Sequence, residues 1–229
     1  MARKKTALNA SGRPRWQAAL LLIALAALLA WAWHSPLLFP FRILVVLFHE
    51  LGHAAVAVAT GGEVLSIGLS ADEGGLCVTR GGWQLLILNG GYLGSLVAGL
   101  ALLSLTRSPR AARAIVVGLG ALVLAVALAL VRPLISFGFG WGCLAGAGLL
   151  ALGLKAPPPV SWWLLRLLGV FSVLYALLDV RDDVFGAAGA GVSDATMLAE
   201  LTHVPAFAWG GAWILAGLAL LFGLRRRLV

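Results

Sequence analysis

His49, Glu50 and His53 are the residues of this chain whose types and spacing point most directly to a chemistry. In a helix, positions four apart differ by about 40° around the axis, so the two imidazoles project from one face and can share a tetrahedral cation. Glu50 sits beside them. A hydrolytic zinc needs three protein ligands and an open position for water, whose pKa it lowers to about 7. A carboxylate next to that water can take its proton and hand it to a leaving amine. The string His49-Glu50-Leu51-Gly52-His53 therefore supplies two ligands and a base. Cys77 and Cys143 are the only cysteines and lie far apart, which excludes a four-cysteine site and a disulfide framework. The remaining ligand must be His, Asp or Glu.

The element that carries this string is apolar on both sides, Ile43 to Phe48 before it and Ala54 to Ala59 after it. An acid near the centre of a spanning helix costs about 2.5–3.5 kcal/mol on insertion scales, and a bound metal compensates that cost. The whole composition agrees with a bilayer. Of 229 residues 61% are hydrophobic and 11% charged, against about 25% charged in soluble domains, and the mean hydropathy is +0.99. The formal charge of +8 does not imply nucleic acid. Its cations cluster at the ends and in short loops: Arg3, Lys4, Lys5, Arg13 and Arg15, then Arg107, Arg110 and Arg113, then Arg225 to Arg227. Such clusters flank spans and meet anionic headgroups.

Apolar runs long enough to cross a bilayer, about 17 to 25 residues, fall at 17–33, 38–60, 83–104, 114–131, 134–153, 162–180 and 205–224. The expected fold is an all-α polytopic membrane protein of six or seven transmembrane helices, one domain over 17–224 between a basic tail at 1–16 and another at 225–229. No small-x-small cleavage pattern follows the first run, so it reads as an uncleaved span. Arg132-Pro133 reads either as a loop or as a kink within a helical hairpin. Residues 61–82 break the pattern: Gly61-Gly62, a short apolar strand, a turn at Asp72-Glu73-Gly74-Gly75, and a return to Gly81-Gly82, which predicts a β-hairpin. Residues 181–204 form a polar loop in which Ser193-Asp194-Ala195 opens a short helix through Glu200. Gly90-x-x-x-Gly94 and Gly142-x-x-x-Gly146 offer small surfaces for close helix packing. With seven crossings, Arg107, Arg110 and Arg113 face the side opposite the N-terminal cations, against the positive-inside tendency. Either one crossing fewer precedes that loop, or the N-terminal tail dominates.

Candidates for the third metal ligand are Asp179, Asp183 and Asp194. The spans 38–60 and 162–180 run parallel when three helices separate them, and Asp179 is the first acid met along the second, so it is best placed. Asp183, one turn on, can ligate, accept from a histidine or cap. Asp194 is an N-cap by local pattern and a ligand if the 181–204 segment folds back. Asp182 reads as a solvated loop acid, and His34 and His203 as interfacial residues. Asn89 bonds a neighbouring helix or a substrate backbone, packing being the plainer role.

The His49-Glu50-Leu51-Gly52-His53-Ala54 string in a span, followed by a Gly-Gly turn, a hairpin and a later Asp-bearing span, resembles the site-2 protease family of intramembrane zinc metallopeptidases, in particular its small bacterial branch without a PDZ domain. The resemblance implies zinc on His49, His53 and a distant aspartate, Glu50 as base, and a membrane-dipping hairpin that presents substrate. Better-known members carry that aspartate in an Asn-x-x-Pro…Leu-Asp-Gly sequence. Here Leu178-Asp179 precedes Val180 with no such Asn or Pro.

The expected function is hydrolysis of peptide bonds in a membrane-embedded, single-span protein, as in regulated intramembrane proteolysis, in a bacterial cytoplasmic membrane. The strand Val64 to Leu69, with Val64, Ile67 and Leu69, is the expected substrate clamp, pairing backbone to backbone. A transporter or ion channel using His49, Glu50 and His53 as a cation path is the alternative, or an inactive metal-binding scaffold. The chain shows no internal repeat of the transporter kind, and an ion path needs no acid beside the second ligand.

Overall fold

The computed structural model describes residues 15–106, 108–185 and 193–228, with side chains throughout these except at 15, 181–185 and 225–228. Eight α-helices and one hairpin follow in order: α1 (Arg15–Trp31), α2 (Phe39–Ala59) after a 3-10 turn at Pro36–Leu38, β1 (Glu63–Leu69), β2 (Gly75–Arg80), α3 (Gln84–Leu105), α4 (Pro109–Leu130), α5 (Phe137–Lys155), α6 (Pro158–Phe185), α7 (Asp194–Thr202) and α8 (Ala206–Leu228). Among the described residues six helices are long and apolar enough to cross a membrane, at Pro36–Ala59, Gln84–Leu105, Pro109–Leu130, Phe137–Lys155, Pro158–Val180 and Ala206–Leu224. The protein is an integral membrane protein. The first apolar run, expected at 17–33, forms the shorter helix α1, which breaks before α2. There Trp33 stacks on Phe171 of α6 with ring centroids 4.6 Å apart.

The core is built around α2, whose residues Ile43 to Glu50 are buried without interruption. A helix apolar all round belongs in the interior of a bundle, and α2 is covered by α3, α6 and the hairpin. Its approach to α3 is backbone to backbone. A Cβ on Gly52 would overlap the Gly90 carbonyl, and one on Gly94 would meet the Gly52 Cα, so the predicted small-residue surface is the α2–α3 contact. Gly142 and Gly146 serve α5 in the same way against Ala127 and Leu124 of α4.

α2 ends where Thr60 turns its hydroxyl back to the Val56 carbonyl at 2.8 Å and Gly61 adopts φ +83°, a conformation glycine enters without a Cβ penalty. The same hydroxyl accepts from the Trp83 amide at 3.0 Å, tying both feet of the hairpin to one point. β1 and β2 are antiparallel with Ile67 opposite Cys77 and a bulge between Val64 and Ser66. β2 lies along α2: Gly75 is against Val46 and Glu50, and Gly82 against Ala57 and Thr60. The hairpin thus occupies the depth of the span and reaches down to Arg42, whose Nε donates to Glu73 Oε1 at 2.7 Å while its Nη1 reaches the Trp33 and Ser35 carbonyls. This anchor holds the turn, where Glu73 has φ +70°. Arg42→Met is expected to speed hydrogen exchange of the Ser70 to Gly75 amides about tenfold, the change that ~1.4 kcal/mol of local stability produces. Unchanged exchange would show that the strand pairing alone holds the tip.

Two expectations about loops are corrected and one open alternative is decided. The segment after Val180 remains helical to Phe185, so Asp182 lies on α6 and not in a loop, and Asp183 lies one turn beyond Asp179 on the same helix; their side chains are outside the described residues. Ser193, not Asp194, caps α7: its hydroxyl accepts from the Thr196 amide while the Thr196 hydroxyl accepts from the Ser193 amide. Arg132-Pro133 lies in a true connection between α4 and α5, and Val131 pairs with Ile67 as a parallel bridge.

Candidate metal centre

His49 and His53 come together from successive turns of α2, both nearly inaccessible at 8% and 7% exposure. Their Nε2 atoms converge on one oxygen, Asp194 Oδ2, at 3.0 and 3.1 Å. The three ligand atoms all lie within 4.8 Å of one another. Metal–ligand bonds of about 2.0–2.2 Å at tetrahedral angles separate ligand atoms by roughly 3.3 Å, so the donor set fits a zinc ion with little adjustment. The Nδ1 of His53 faces the Ile87 carbonyl at 2.6 Å, the outer contact that fixes a ligating tautomer with Nε2 free for metal. Nδ1 of His49 is 4.0 Å from Asp179 Oδ2. Asp179, preferred on sequence as the third ligand, therefore stands behind His49, on the ring nitrogen turned away from the cluster, while Asp194 stands in front.

Asp194 arrives there because α7 folds back over α3 and α8. Ala195 and Leu198 are fully buried in a small cluster with Leu88, Tyr92, Val180 and Trp213, and this apolar face fixes the first turn that bears the carboxylate. Burial opposes its charge, but the hydrogen bonds of His49 and His53 outweigh burial and hold the Asp194 carboxyl at about 2. The group is a carboxylate at neutral pH. A carboxylate in the first turn of a helix also meets the positive end of the helix dipole.

Glu50, 5% exposed, lies next to the cluster without belonging to it. The Cys77 amide of β2 hydrogen-bonds its carboxylate. That amide points away from β1, as expected at a pair without ladder bonds, and the Ile67 carbonyl on the far side of the hairpin accepts instead from the Arg132 amide at 3.0 Å. Burial, with the Glu50 charge beside it, pushes the Cys77 thiol up to about 12, so the sulfur is no thiolate ligand. Glycines make room for these side chains. A Cβ on Gly75 would overlap the Glu50 carboxylate, and one on Gly91 would overlap both histidine rings.

The site opens into a cavity of about 1110 Å³, lined by Glu50, Asp179, Asp194, Tyr92, Met197 and one strand of the hairpin. That strand is β2, with Gly75, Leu76, Cys77 and Thr79. Val64, Ile67 and Leu69 of β1 are absent from the lining; Ile67 is fully buried and its outer edge is taken by Val131 and Arg132. The expectation of a free β1 edge is corrected: α4 and α5 pack on that side. Asn89 accepts from the Trp213 indole at 2.7 Å and donates to the Leu85 carbonyl, the packing role. Sequence reasoning missed Gly91 and Tyr92. Tyr92 sets its ring edge-on to His49 with centroids 4.9 Å apart, and its only signal was the adjacent glycine pair.

The chain matches the family model described as Peptidase M50B-like over residues 22–224. No curated protein and no solved structure matches it. A match that runs from within α1 to near the end of α8, around a buried His-Glu-x-x-His helix, leads to one assignment: the chain belongs to the Peptidase M50B-like family, which is the site-2 protease family.

Proposed function

We propose that the protein is an intramembrane zinc metalloprotease that hydrolyses peptide bonds of membrane-embedded proteins. The observation that carries this reading is the convergence of His49, His53 and Asp194 on one point inside an apolar span, with the Glu50 carboxylate alongside and outside the ligand set. In this reading His49, His53 and Asp194 hold the zinc. When bound, the ion supplies a Lewis acid and an acidified water. Glu50 accepts the proton of the attacking water on its carboxylate and delivers it to the leaving amine nitrogen. The Ile87 carbonyl orients His53 through a hydrogen bond with Nδ1, whereas Asp179, 4.0 Å from Nδ1 of His49, acts on that ring by its charge.

Substrate must enter extended, because in a helix its scissile carbonyl is hydrogen-bonded. The β2 edge beside Glu50 suits it: an added strand pairs with outward backbone groups and needs little side-chain identity. Strand alternation aims the Thr79 amide the same way as that of Cys77. Thr79→Pro removes this donor without breaking a ladder bond, and is expected to raise the apparent KM about tenfold with zinc content unchanged, one lost edge pairing being worth ~1 kcal/mol or more. Normal cleavage by this variant would move substrate binding to the helices.

The direct test is elemental analysis of the detergent-purified protein together with cleavage of a single-span reporter. Close to one zinc per chain is expected, and cleavage should stop on chelation and return with added zinc. A metal-free chain that still cleaves the reporter would sink the proposal.

A further inference from the structure

Another cavity, of about 330 Å³, lies away from the metal, between the first turns of α2 and the helical hairpin of α5 and α6. Phe41 and Leu44 of α2, Leu144 and Leu149 of α5, and Leu164 and Leu168 of α6 form its walls, and no charged or hydroxyl-bearing residue lines it. It exists because α5 packs on α4. Gly142 and Gly146 bring α5 against Ala127 and Leu124, and Gly153 brings it against Val117, so the opposite face of α5 stays largely open. Leu144 on that face is 74% exposed, and a Cβ on Gly148 would meet nothing within 4 Å.

The depth of this groove follows from the turn that joins its two longer walls. α5 ends at Lys155 and α6 begins at Pro158, so residues equally far from the turn lie side by side. Leu149 and Leu164 are each six residues from it, about 9 Å inward, and Trp141, also in the wall, is about 21 Å inward at 1.5 Å per residue. The groove thus lies in the hydrocarbon, whose core is about 30 Å thick. The turn carries the residues of a headgroup layer. Trp163 is exposed there and meets Trp162 edge-on with ring centroids 4.8 Å apart, and Arg166 reaches back to set its guanidinium 4.3 Å over the Trp162 ring.

Charge at that end of the groove is unbalanced. Lys155 lies seven residues beyond Gly148, two turns on and therefore on the same face of α5. It is exposed and makes no ion pair among the described residues. Arg113 of α4 places a second cation nearby, where it donates to the Gly153 and Leu154 carbonyls, and residues 106–113 and 153–160 contain no Asp or Glu. The size of the groove selects its occupant. At about 330 Å³ it is smaller than the ~400 Å³ that one turn of a helix 10 Å across fills, so it takes a flexible chain in preference to a span of another protein.

We infer that an anionic phospholipid binds between α5 and α6, one acyl chain in the groove and its phosphate at Lys155. The chain buries apolar wall that no helix covers, and the lysine meets the headgroup charge. Leu44 stands five residues before His49 on α2, so the lipid packs against the helix that presents the metal ligands and completes its cover on the side that α5 leaves open.

Native mass spectrometry of the full chain, purified in a mild detergent, tests the inference. The wild type is expected to retain a single phospholipid per chain. When lipids are added back it should bind phosphatidylglycerol about fivefold more tightly than zwitterionic phosphatidylcholine, the effect of ~1 kcal/mol from one lysine near the headgroups. Lys155→Gln should remove that preference. Gly148→Phe sets a ring in the open groove without meeting protein atoms and should remove the bound lipid, with helical circular dichroism unchanged. Ala145→Leu, a smaller change in the same wall, should act in the same direction and keeps the test decisive if the larger ring prevents folding. A wild-type chain that keeps no phospholipid, or filled-groove variants that keep it as the wild type does, overturn the inference, and equal binding of the two lipids overturns the part given to Lys155. If Gly148→Phe keeps its lipid but loses reporter cleavage, or loses a dimer that the wild type forms, the groove belongs to a substrate span or to a second copy, and the inference falls.

Discussion

Glu50→Gln is expected to abolish reporter cleavage while zinc remains close to one per chain. Glutamine keeps the shape of the side chain and an oxygen that can accept the Cys77 amide, so β2 keeps its place beside α2. It cannot take a proton. General-base catalysis contributes typically 10²–10⁴-fold, so the variant should retain at most about one per cent of the rate. The metal should stay, because the three atoms that converge come from His49, His53 and Asp194. Cleavage and elemental analysis on one preparation separate the outcomes. Wild-type cleavage would end the hydrolytic reading. Loss of zinc would place Glu50 among the ligands.

Asp194→Asn should remove zinc more severely than Asp179→Asn. An amide in place of the shared oxygen takes away the negative charge toward which both Nε2 atoms point at 3.0 and 3.1 Å. Losing one of three ligands exceeds the ten- to hundredfold loss of affinity that follows from removing an orienting partner, and Asp179→Asn, which removes a charge 4.0 Å from Nδ1 of His49, should show no more than that range. Zinc affinities measured by competition with a chromophoric chelator rank the two. If Asp179→Asn is the more damaging, the ligand is the one on α6, and α7 only covers the site. The Ser193 cap and the buried Ala195 and Leu198 keep α7 in place in either variant, so helix loss does not confuse the comparison.

Much of this molecule was legible in local pattern. The i, i+4 spacing of His49 and His53 is a property of one helix, and it needs no partner to be read. Bilayer thickness turns apolar length into a count of spans, and Gly61, Gly62, Gly81 and Gly82 bracket a hairpin because three of them hold positive φ where the chain reverses. The Ser193 to Thr196 cap is likewise written in four consecutive residues.

What the chain could not disclose by itself depends on pairs distant in sequence. Asp179 and Asp194 are both acids following an apolar span, and local pattern favours the one nearer the helix. Only the return of α7 over Tyr92 and Trp213 sets Asp194 in front of the histidines and leaves Asp179 behind them. The two hairpin strands are similarly alike as sequence, short and apolar. Which edge is free was decided by Val131 and Arg132, more than sixty residues away from Ile67, because an edge is free only when no other segment packs on it. The same holds for α1: its apolar length suits a span, yet the helix ends at Trp31, and Trp33 just beyond it stacks on Phe171 in the middle of α6. Local chemistry follows from spacing along one helix, whereas which acid faces the histidines and which strand edge is free are contacts between elements, and these exist only once the bundle is packed.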